Sequence, residues 1–412
     1  MNSSSEVWLK TILSYVAPLL LLWWTWQLVQ IFVGYLGSSP RSSEDHKWHD
    51  GRKRNRPAVA PPRLAARCSS SASEDWCSFF TFSCCAGGRS DEGLEEEVCG
   101  GSMECKFGFP RAELYSTTFG PVKEDVDALL RSALRGAPAT SLRRALLEFR
   151  HLAEDLPASG WLQPKDLRVL LRFLLARKGN VQQALDMMQS TIEWRLQNNA
   201  ADVLPHWDKV PFETADRYWK CLGIMGVDSE GDPVMWERVG ASHVPTLAQC
   251  SDDFARKHTI YTMECIMASL ERLRQQRRKE GKANGFQFTV VMDLAGLNLS
   301  HMDRRGLGLL KSTIRIQSDR YPECVKRIVA IRAPWIFPAV WRIVRTFLDK
   351  GTVDKFMIVK EEDTRQTLLQ YISAEHIPKA LGGTKVLGDD YCRDIIAPGG
   401  PVPKAILEKY LI

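Results

Sequence analysis

The residue types that carry enzyme chemistry are scattered along this 412-residue chain and form no known catalytic pattern. There is no G-x-S-x-G nucleophile turn, no G-x4-G-K-[ST] phosphate loop and no G-x-G-x-x-G after a predicted strand. The eight histidines form no H-x3-H or H-E-x-x-H pair. Asp293 ends a predicted strand, and we interpret it as a cap of the following loop. The sequence therefore predicts no catalytic residue, no metal site, no cofactor and no enzyme activity.

The first 40 residues contain an apolar run long enough to cross a bilayer. No charged side chain occurs from Thr11 to Pro40, and a bilayer core needs about 20 apolar residues. A cleaved signal peptide has a shorter apolar region behind a basic start, so we favour a retained anchor at 11–37 after a short N-terminus, 1–10. Residues 41–67 hold eight Lys or Arg against three acidic residues. By the positive-inside rule this predicts a single-pass protein with a cytosolic C-terminal part, on an endomembrane or the plasma membrane.

Residues 38–140 are rich in Ser, Pro, Gly and Arg, which predicts a mostly disordered, basic and Cys-rich linker. Such a linker of about 100 residues has a root-mean-square reach of about 50–60 Å. Within it, Cys77, Cys84 and Cys85 lie among aromatic residues. This setting is typical of reversible palmitoylation, although inert thiols explain it equally well. A zinc site is less favoured, since the C-x2-C spacing and a nearby histidine are missing.

The remainder of the chain has the composition and periodicity of a folded α/β protein. Apolar residues recur at helical spacing after Pro164, again from Val181 to Ile192, and from Arg256 to Lys279. Short β-branched or apolar runs predict strands, the first two joined by the turn-rich segment 228–233; these runs are 222–227, 234–239, 288–294, 327–333 and 356–359. The net charge of +6 is too small to predict nucleic-acid binding.

Six motifs, in order along the chain, resemble the CRAL-TRIO lipid-binding domain family, and in particular its phosphatidylinositol-transfer members. They are 170–178 with 193–195, 228–234, 291–297, 321–334, 347–349 and 377–383. The resemblance implies a helical N-terminal lobe (141–205) and a lipid-binding domain (206–390), followed by a C-terminal tail (391–412). It further implies a mixed sheet that floors a hydrophobic lipid pocket, and a gating helix that opens at membranes.

The resemblance also assigns site residues. The gate helix would carry an aromatic-rich stripe, interrupted by arginines as interfacial helices often are; its members are Trp335, Phe337, Trp341, Val344 and Phe347. The pocket wall would include Phe288, Val290 and Met292.

The family's phosphatidylinositol site uses a basic pair, a glutamate and a lysine. Here Arg177 and Lys178 stand at the basic pair, Arg345 replaces the lysine, and Ser312 replaces the glutamate. Phosphatidylcholine binders place Ser and Thr where this chain has Phe288 and Val290. Both headgroup signatures are thus incomplete, and we expect a lipophilic ligand other than phosphatidylcholine, with a phosphoinositide as one candidate.

Two functions follow from this reading. The first is a membrane-anchored protein that binds, presents or transfers lipid at a cytosolic membrane face. The second is a non-catalytic interaction module that recruits a small GTPase or similar regulator. The best candidate surface for such recruitment is the basic end of the third predicted helix, although helix ends of this kind are usually only solvated. The cations of this helix end are Arg272, Arg274, Arg277, Arg278 and Lys279.

Overall fold

The computed structural model describes residues 108–121, 125–134, 140–218, 222–281, 287–387 and 400–411. The predicted anchor at 11–37 and the candidate acylation sites Cys77, Cys84 and Cys85 lie outside these residues and stay predictions. Within the described residues, no helix combines the length and apolar character needed to span a bilayer.

A five-stranded mixed sheet forms the centre of the fold, in the order β1-β2-β3-β4-β5. The strands are β1 Leu222–Val227, β2 Pro233–Arg238, β3 Phe288–Asp293, β4 Val325–Ile331 and β5 Phe356–Ile358. The first two pair antiparallel through the turn at 228–232, and the other pairs are parallel. Parallel pairing needs long crossovers, which here contain helices. The predicted strands and the predicted mixed sheet are confirmed.

The helical part precedes the sheet. Its helices are α1 Arg111–Tyr115, α2 Val126–Leu134, α3 Thr140–Leu152, α4 Leu167–Ala176, α5 Val181–Gln197, α6 Val203–His206 and α7 Val210–Tyr218. The two predicted helices here begin at side-chain caps, since Asp166 accepts from Arg168 N and Asn180 accepts from Gln183 N. Four of the five leucines of α4 are buried, as their spacing predicts, and Leu175 is half-buried.

The crossovers and the C-terminal part supply the remaining helices. They are α8 Val244–Leu247, α9 Asp252–Lys279, α10 Arg304–Arg320, α11 Phe337–Val344, α12 Lys350–Val353, α13 Thr364–Tyr371 and α14 Lys404–Ile406, which continues into a π-helical turn, Leu407–Leu411. Helix α9 is buried without interruption from His258 to Ser269. It shares one hydrophobic cluster with the helical part and with one face of the sheet.

Two of the described helices precede the predicted boundary at 141. Helices α1 and α2 both lie inside the range 38–140 that was predicted to be a mostly disordered linker. Arg272 of α9 fixes α1, because its guanidinium donates to Glu113 O at 2.6 Å and to Thr117 Oγ1 at 3.0 Å. These partners are more than 150 residues apart, so a local composition pattern does not reveal them.

Candidate functional site

One face of the sheet carries a continuous row of apolar side chains. Neighbouring strands place five residues opposite one another across the sheet; they are Ile224, Met235, Val290, Ile328 and Phe356. All five lie in or against the large hydrophobic cluster that includes α9. Residues two apart in a strand share a face. The side chains two positions before and after each member of this row therefore lie on the same face of the sheet. The result is an apolar floor of the kind that a lipophilic ligand needs.

The three predicted pocket residues lie together on this floor. Phe288, Val290 and Met292 alternate along β3 and therefore face the same side. Phe288 and Val290 are buried, whereas Met292 is half-buried. Met292 lies opposite Ala330 of β4 and also packs against the separate cluster under the gate helix. The structure thus brings the three residues together, and their contact with a ligand remains a prediction.

The predicted gate corresponds to α11 and the 3-10 turn Arg345–Phe347 that follows it. Phe337 and Val340 are buried against Ala330 and Leu294. The Trp341 ring lies 4.6 Å from the ring of Phe356 on β5. The gate stripe therefore faces inward, onto the carboxyl-terminal half of the sheet floor.

Two predicted gate residues lie at the ends of this helix. Trp335 precedes α11 and is 81% exposed, so it is the part of the stripe that projects into solvent. Phe347 is half-buried in the turn after α11, where the Lys311 ammonium lies 5.6 Å from its ring centre. Val344, between them, packs against the gate cluster.

The four predicted headgroup residues lie on three different elements. Arg177 is half-buried at the end of α4, and Lys178 follows it, exposed, with φ of 52°. Ser312 is exposed on α10, and Arg345 is exposed in the turn after α11. Because α10 contacts that turn, Ser312 and Arg345 occupy adjoining elements.

Arg177 and Lys178 belong to the helical part, which contacts α10 through α5. The described contacts between α5 and α10 lie at the far end of α5, where Arg320 Nη1 donates to Ser190 O at 2.9 Å. Ser190 is nine residues beyond Val181, or about 14 Å along a helix that rises 1.5 Å per residue. The structure therefore places Ser312 and Arg345 on adjoining elements, and the contacts it describes do not join either residue to Arg177 or Lys178.

Sequence reasoning missed two polar features beside this site. Lys311 is an exposed cation next to Ser312, and it lies over Phe347 of the gate turn. Thr259 Oγ1 of α9 and Thr313 Oγ1 of α10 lie 3.1 Å apart and form a hydrogen bond between the two helices. Neither feature has a distinctive sequence pattern, because lysines and threonines are common on helices. The sequence therefore carries no signal for these two contacts.

The predicted capping role of Asp293 is confirmed. Its Oδ1 accepts from Ala295 N at 3.0 Å and from Arg332 Nε at 3.0 Å, and its second oxygen also pairs with Arg332. The carboxylate is buried and neutralised, so it holds the β3 and β4 ends in place.

The basic end of α9 is largely engaged within the fold. Arg272 holds α1, Arg274 pairs with the buried Glu271, and Arg277 donates to Gly231 O. Arg278 and Lys279 are exposed. Three of the five cations that suggested a regulator-binding surface therefore have intramolecular roles, which weakens the hypothesis of an interaction module.

Comparison with known proteins gives one family match and several similar proteins. Residues 218–383 match the family model described as the CRAL/TRIO domain. "Protein real-time" of Aedes aegypti is 30% identical over 263 residues, which cover 63% of this chain and 38% of that protein. A CRAL-TRIO domain-containing protein of Caenorhabditis elegans is 31% identical over 240 residues, which cover 58% of this chain and 32% of that protein. The solved structure titled "Crystal structure of Sfh5" aligns with a TM-score of 0.45 at 16% identity, over 66% of this chain and 96% of that chain.

The family match confirms that residues 218–383 form a CRAL-TRIO domain. Domains of this family bind lipophilic ligands, and the family consists generally of lipid-binding or lipid-transfer proteins rather than enzymes. The chain spans between about a third and two fifths of the length of the curated relatives that it matches.

Proposed function

We propose that this chain is a membrane-anchored lipid-binding protein that binds, presents or transfers a lipid at a cytosolic membrane face. The observation that carries this proposal is the apolar row across all five strands, Ile224 to Phe356, with the gate helix packed beside it. Binding of a lipid to this apolar surface needs no catalytic group. Burial of an acyl chain supplies about 0.8 kcal/mol per CH₂ group.

The bound lipid has a headgroup other than choline phosphate. Phe288 and Val290 put a ring and a branched hydrocarbon on the floor, which leaves no hydroxyl at these positions for a choline phospholipid. Arg345 and Lys311 on adjoining elements, with Arg177 and Lys178 farther off, supply cations for an anionic headgroup. A phosphoinositide satisfies both requirements, and its recognition would rest on Arg345 in place of the family's lysine.

The apolar segment at 11–37 would hold this domain close to one membrane, and the predicted tether would set how far it reaches. A lipid carrier tied in this way serves the anchoring membrane and any second membrane within reach of the tether. This arrangement favours presentation or short-range transfer at an endomembrane or the plasma membrane.

The test is lipid extraction and mass spectrometry on the full-length chain purified in detergent and exchanged into vesicles that contain mixed phospholipids. We expect one bound lipid per chain and little phosphatidylcholine. Arg345→Ala should reduce selectivity for anionic headgroups, and the double substitution Arg177→Ala with Lys178→Ala tests whether the more distant basic pair contributes to it. Arg150→Ala with Lys165→Ala removes two exposed cations from the same helical part and is the matched control. A full-length chain that binds no lipid would refute the proposal in favour of the interaction module.

A further inference from the structure

The C-terminal segment, residues 400–411, is an amphipathic element that packs onto the fold. Val402, Leu407 and Leu411 are buried. Ile406 and Tyr410 are half-buried, and they recur with the buried residues at the three- and four-residue spacing of one helix face. The opposite face carries Lys404, Glu408 and Lys409, all exposed.

This segment connects the CRAL-TRIO domain to the helical part that precedes the sheet. Gly400 lies beside Ser242 in a short parallel bridge, and Gly400 N donates to Ala241 O at 3.2 Å. At its other end, the turn Leu407–Leu411 contacts α7. The segment therefore spans from the connection Val239–Leu247, which follows β2, to α7.

The buried side chains of the segment belong to the same hydrophobic cluster as the sheet floor. That cluster contains Leu407 and Leu411 together with Phe288 and Val290 of β3. The gate helix packs in a different cluster, with Ala330. The C-terminal segment therefore contributes buried side chains to the cluster that contains the proposed lipid floor, whereas α11 packs in a separate cluster and reaches the floor through the contact of Trp341 with Phe356.

We propose that residues 400–411 form a C-terminal lid, distinct from the gate helix, and that lipid exchange requires its release. This inference rests on the proposed lipid-binding function. The described contacts of the lid are mainly apolar, so water opposes its release. A membrane surface removes that penalty, because an apolar helix face flanked by lysines is suited to the interface. Pro401 and Pro403 restrict the released chain and favour re-docking.

The test compares the full-length chain with a Leu407→Asp, Leu411→Asp variant, which places two charges on the docked face of the lid. Each protein is loaded with pyrene-labelled phosphatidylinositol, and its transfer to phosphatidylcholine vesicles is followed by fluorescence. We expect at least tenfold faster transfer, together with faster hydrogen exchange in α7 and in Val239–Leu247. Glu408→Gln, which changes one exposed side chain outside the docked face and leaves both lysines in place, should leave both rates unchanged.

A second measurement guards against a variant that merely unfolds. A chain that ends at residue 399 should regain slow transfer when a peptide of residues 400–412 is added in excess. If the full-length chain binds lipid and the variant transfers that lipid no faster than the full-length chain does, the lid proposal is wrong. A full-length chain that takes up no lipid would instead contradict the proposed function itself, and the lid with it.

Discussion

Arg195 and Glu264 form a bidentate ion pair at the centre of the molecule, with Nη1 2.6 Å from Oε1 and Nη2 3.1 Å from Oε2. The Arg195 side chain is fully buried and that of Glu264 is 3% exposed. Burial alone would lower the pKa of Arg195, but the charges and hydrogen bonds of Glu264 and Tyr321 together outweigh this effect and raise it overall, so the guanidinium stays charged. The pair joins α5 of the helical part to α9, which covers the sheet floor.

Removal of one partner from this pair should be strongly destabilising. Glu264→Gln leaves the Arg195 charge buried without a counter-charge, and it weakens the acceptor of the Tyr321 hydroxyl, which lies 2.8 Å from Oε1. We expect a loss of about 3–5 kcal/mol in the free energy of unfolding, measured by urea denaturation.

The exposed pair Arg315–Asp319 provides the control for that substitution. Its atoms are 3.5 Å apart and the Arg315 side chain is 83% exposed. Arg315→Ala should change stability by no more than about 0.5 kcal/mol. Equal losses in the two variants would contradict the assigned role of the Arg195–Glu264 pair.

The sheet and the long helices could be predicted because their signals are local. Val290, Val291 and their neighbours form a continuous apolar run, which is typical of a buried parallel strand, and the leucines of α4 follow helical spacing. The residues that face one another across the floor, such as Val290 and Ile328, depend on strand register. Register is a tertiary property, so the row itself could not be predicted.

Long-range contacts explain what the sequence did not predict. Helix α1 is held by Arg272, and the C-terminal segment is held by burial of Leu407 and Leu411. Neither partner is a neighbour in the chain. The headgroup residues were predicted by resemblance, and which of their elements adjoin follows only from the packing of α4, α5 and α10.

Lys326 should make stability depend on pH, because it holds a buried carboxylate cluster. Its ammonium lies 2.8 Å from Asp228 and 2.9 Å from Asp232. Burial alone would raise the pKa of Asp228, but the hydrogen bonds from Lys326, Thr289 and the Asp232 backbone, together with the charge of Lys326, outweigh it, so this pKa is lowered. For Asp232, burial prevails over Lys326 and the pKa is raised.

The sign of the pH effect follows from these directions. Asp228 contributes stability above its unfolded pKa of about 3.9, and this stability is lost as the pH falls through its lower folded value. Asp232 acts in the opposite sense, since the folded state favours its protonated form. Lys326→Met removes the cation from both carboxylates, so both folded pKa values should rise.

We therefore expect Lys326→Met to lower the free energy of unfolding by about 3–5 kcal/mol near pH 7. This loss should shrink toward pH 4, because both carboxyls of the folded variant become protonated there. Unfolding free energies of the two proteins, measured in steps from pH 8 to pH 4, check this. Lys360→Met removes a 78% exposed lysine and should show no such trend. A loss that is the same at every pH would contradict the prediction.

Two glycines should respond in opposite directions to the same added methyl group. A Cβ at Gly240 would lie 2.1 Å from Ala295 O and 2.7 Å from Leu297 N, both backbone atoms that cannot move aside easily. Gly240→Ala should therefore destabilise the fold by about 1–3 kcal/mol or more. A Cβ at Gly308, within α10, would have no neighbour within 4 Å. Gly308→Ala should stabilise the fold by about 0.5–1 kcal/mol, and thermal unfolding distinguishes the two signs.

The two tryptophans of the gate should have separable roles in lipid release. Trp341 packs on Phe356 at 4.6 Å, so Trp341→Ala loosens α11 from the sheet floor and should speed lipid transfer to vesicles. Trp335 is 81% exposed, so Trp335→Ala leaves that packing intact and should instead weaken binding of the gate to the vesicle surface, which slows transfer. Fluorescent-lipid transfer and vesicle co-sedimentation, measured on the full-length chain, record the two effects. If both substitutions slow transfer equally, Trp341 does not hold the gate closed.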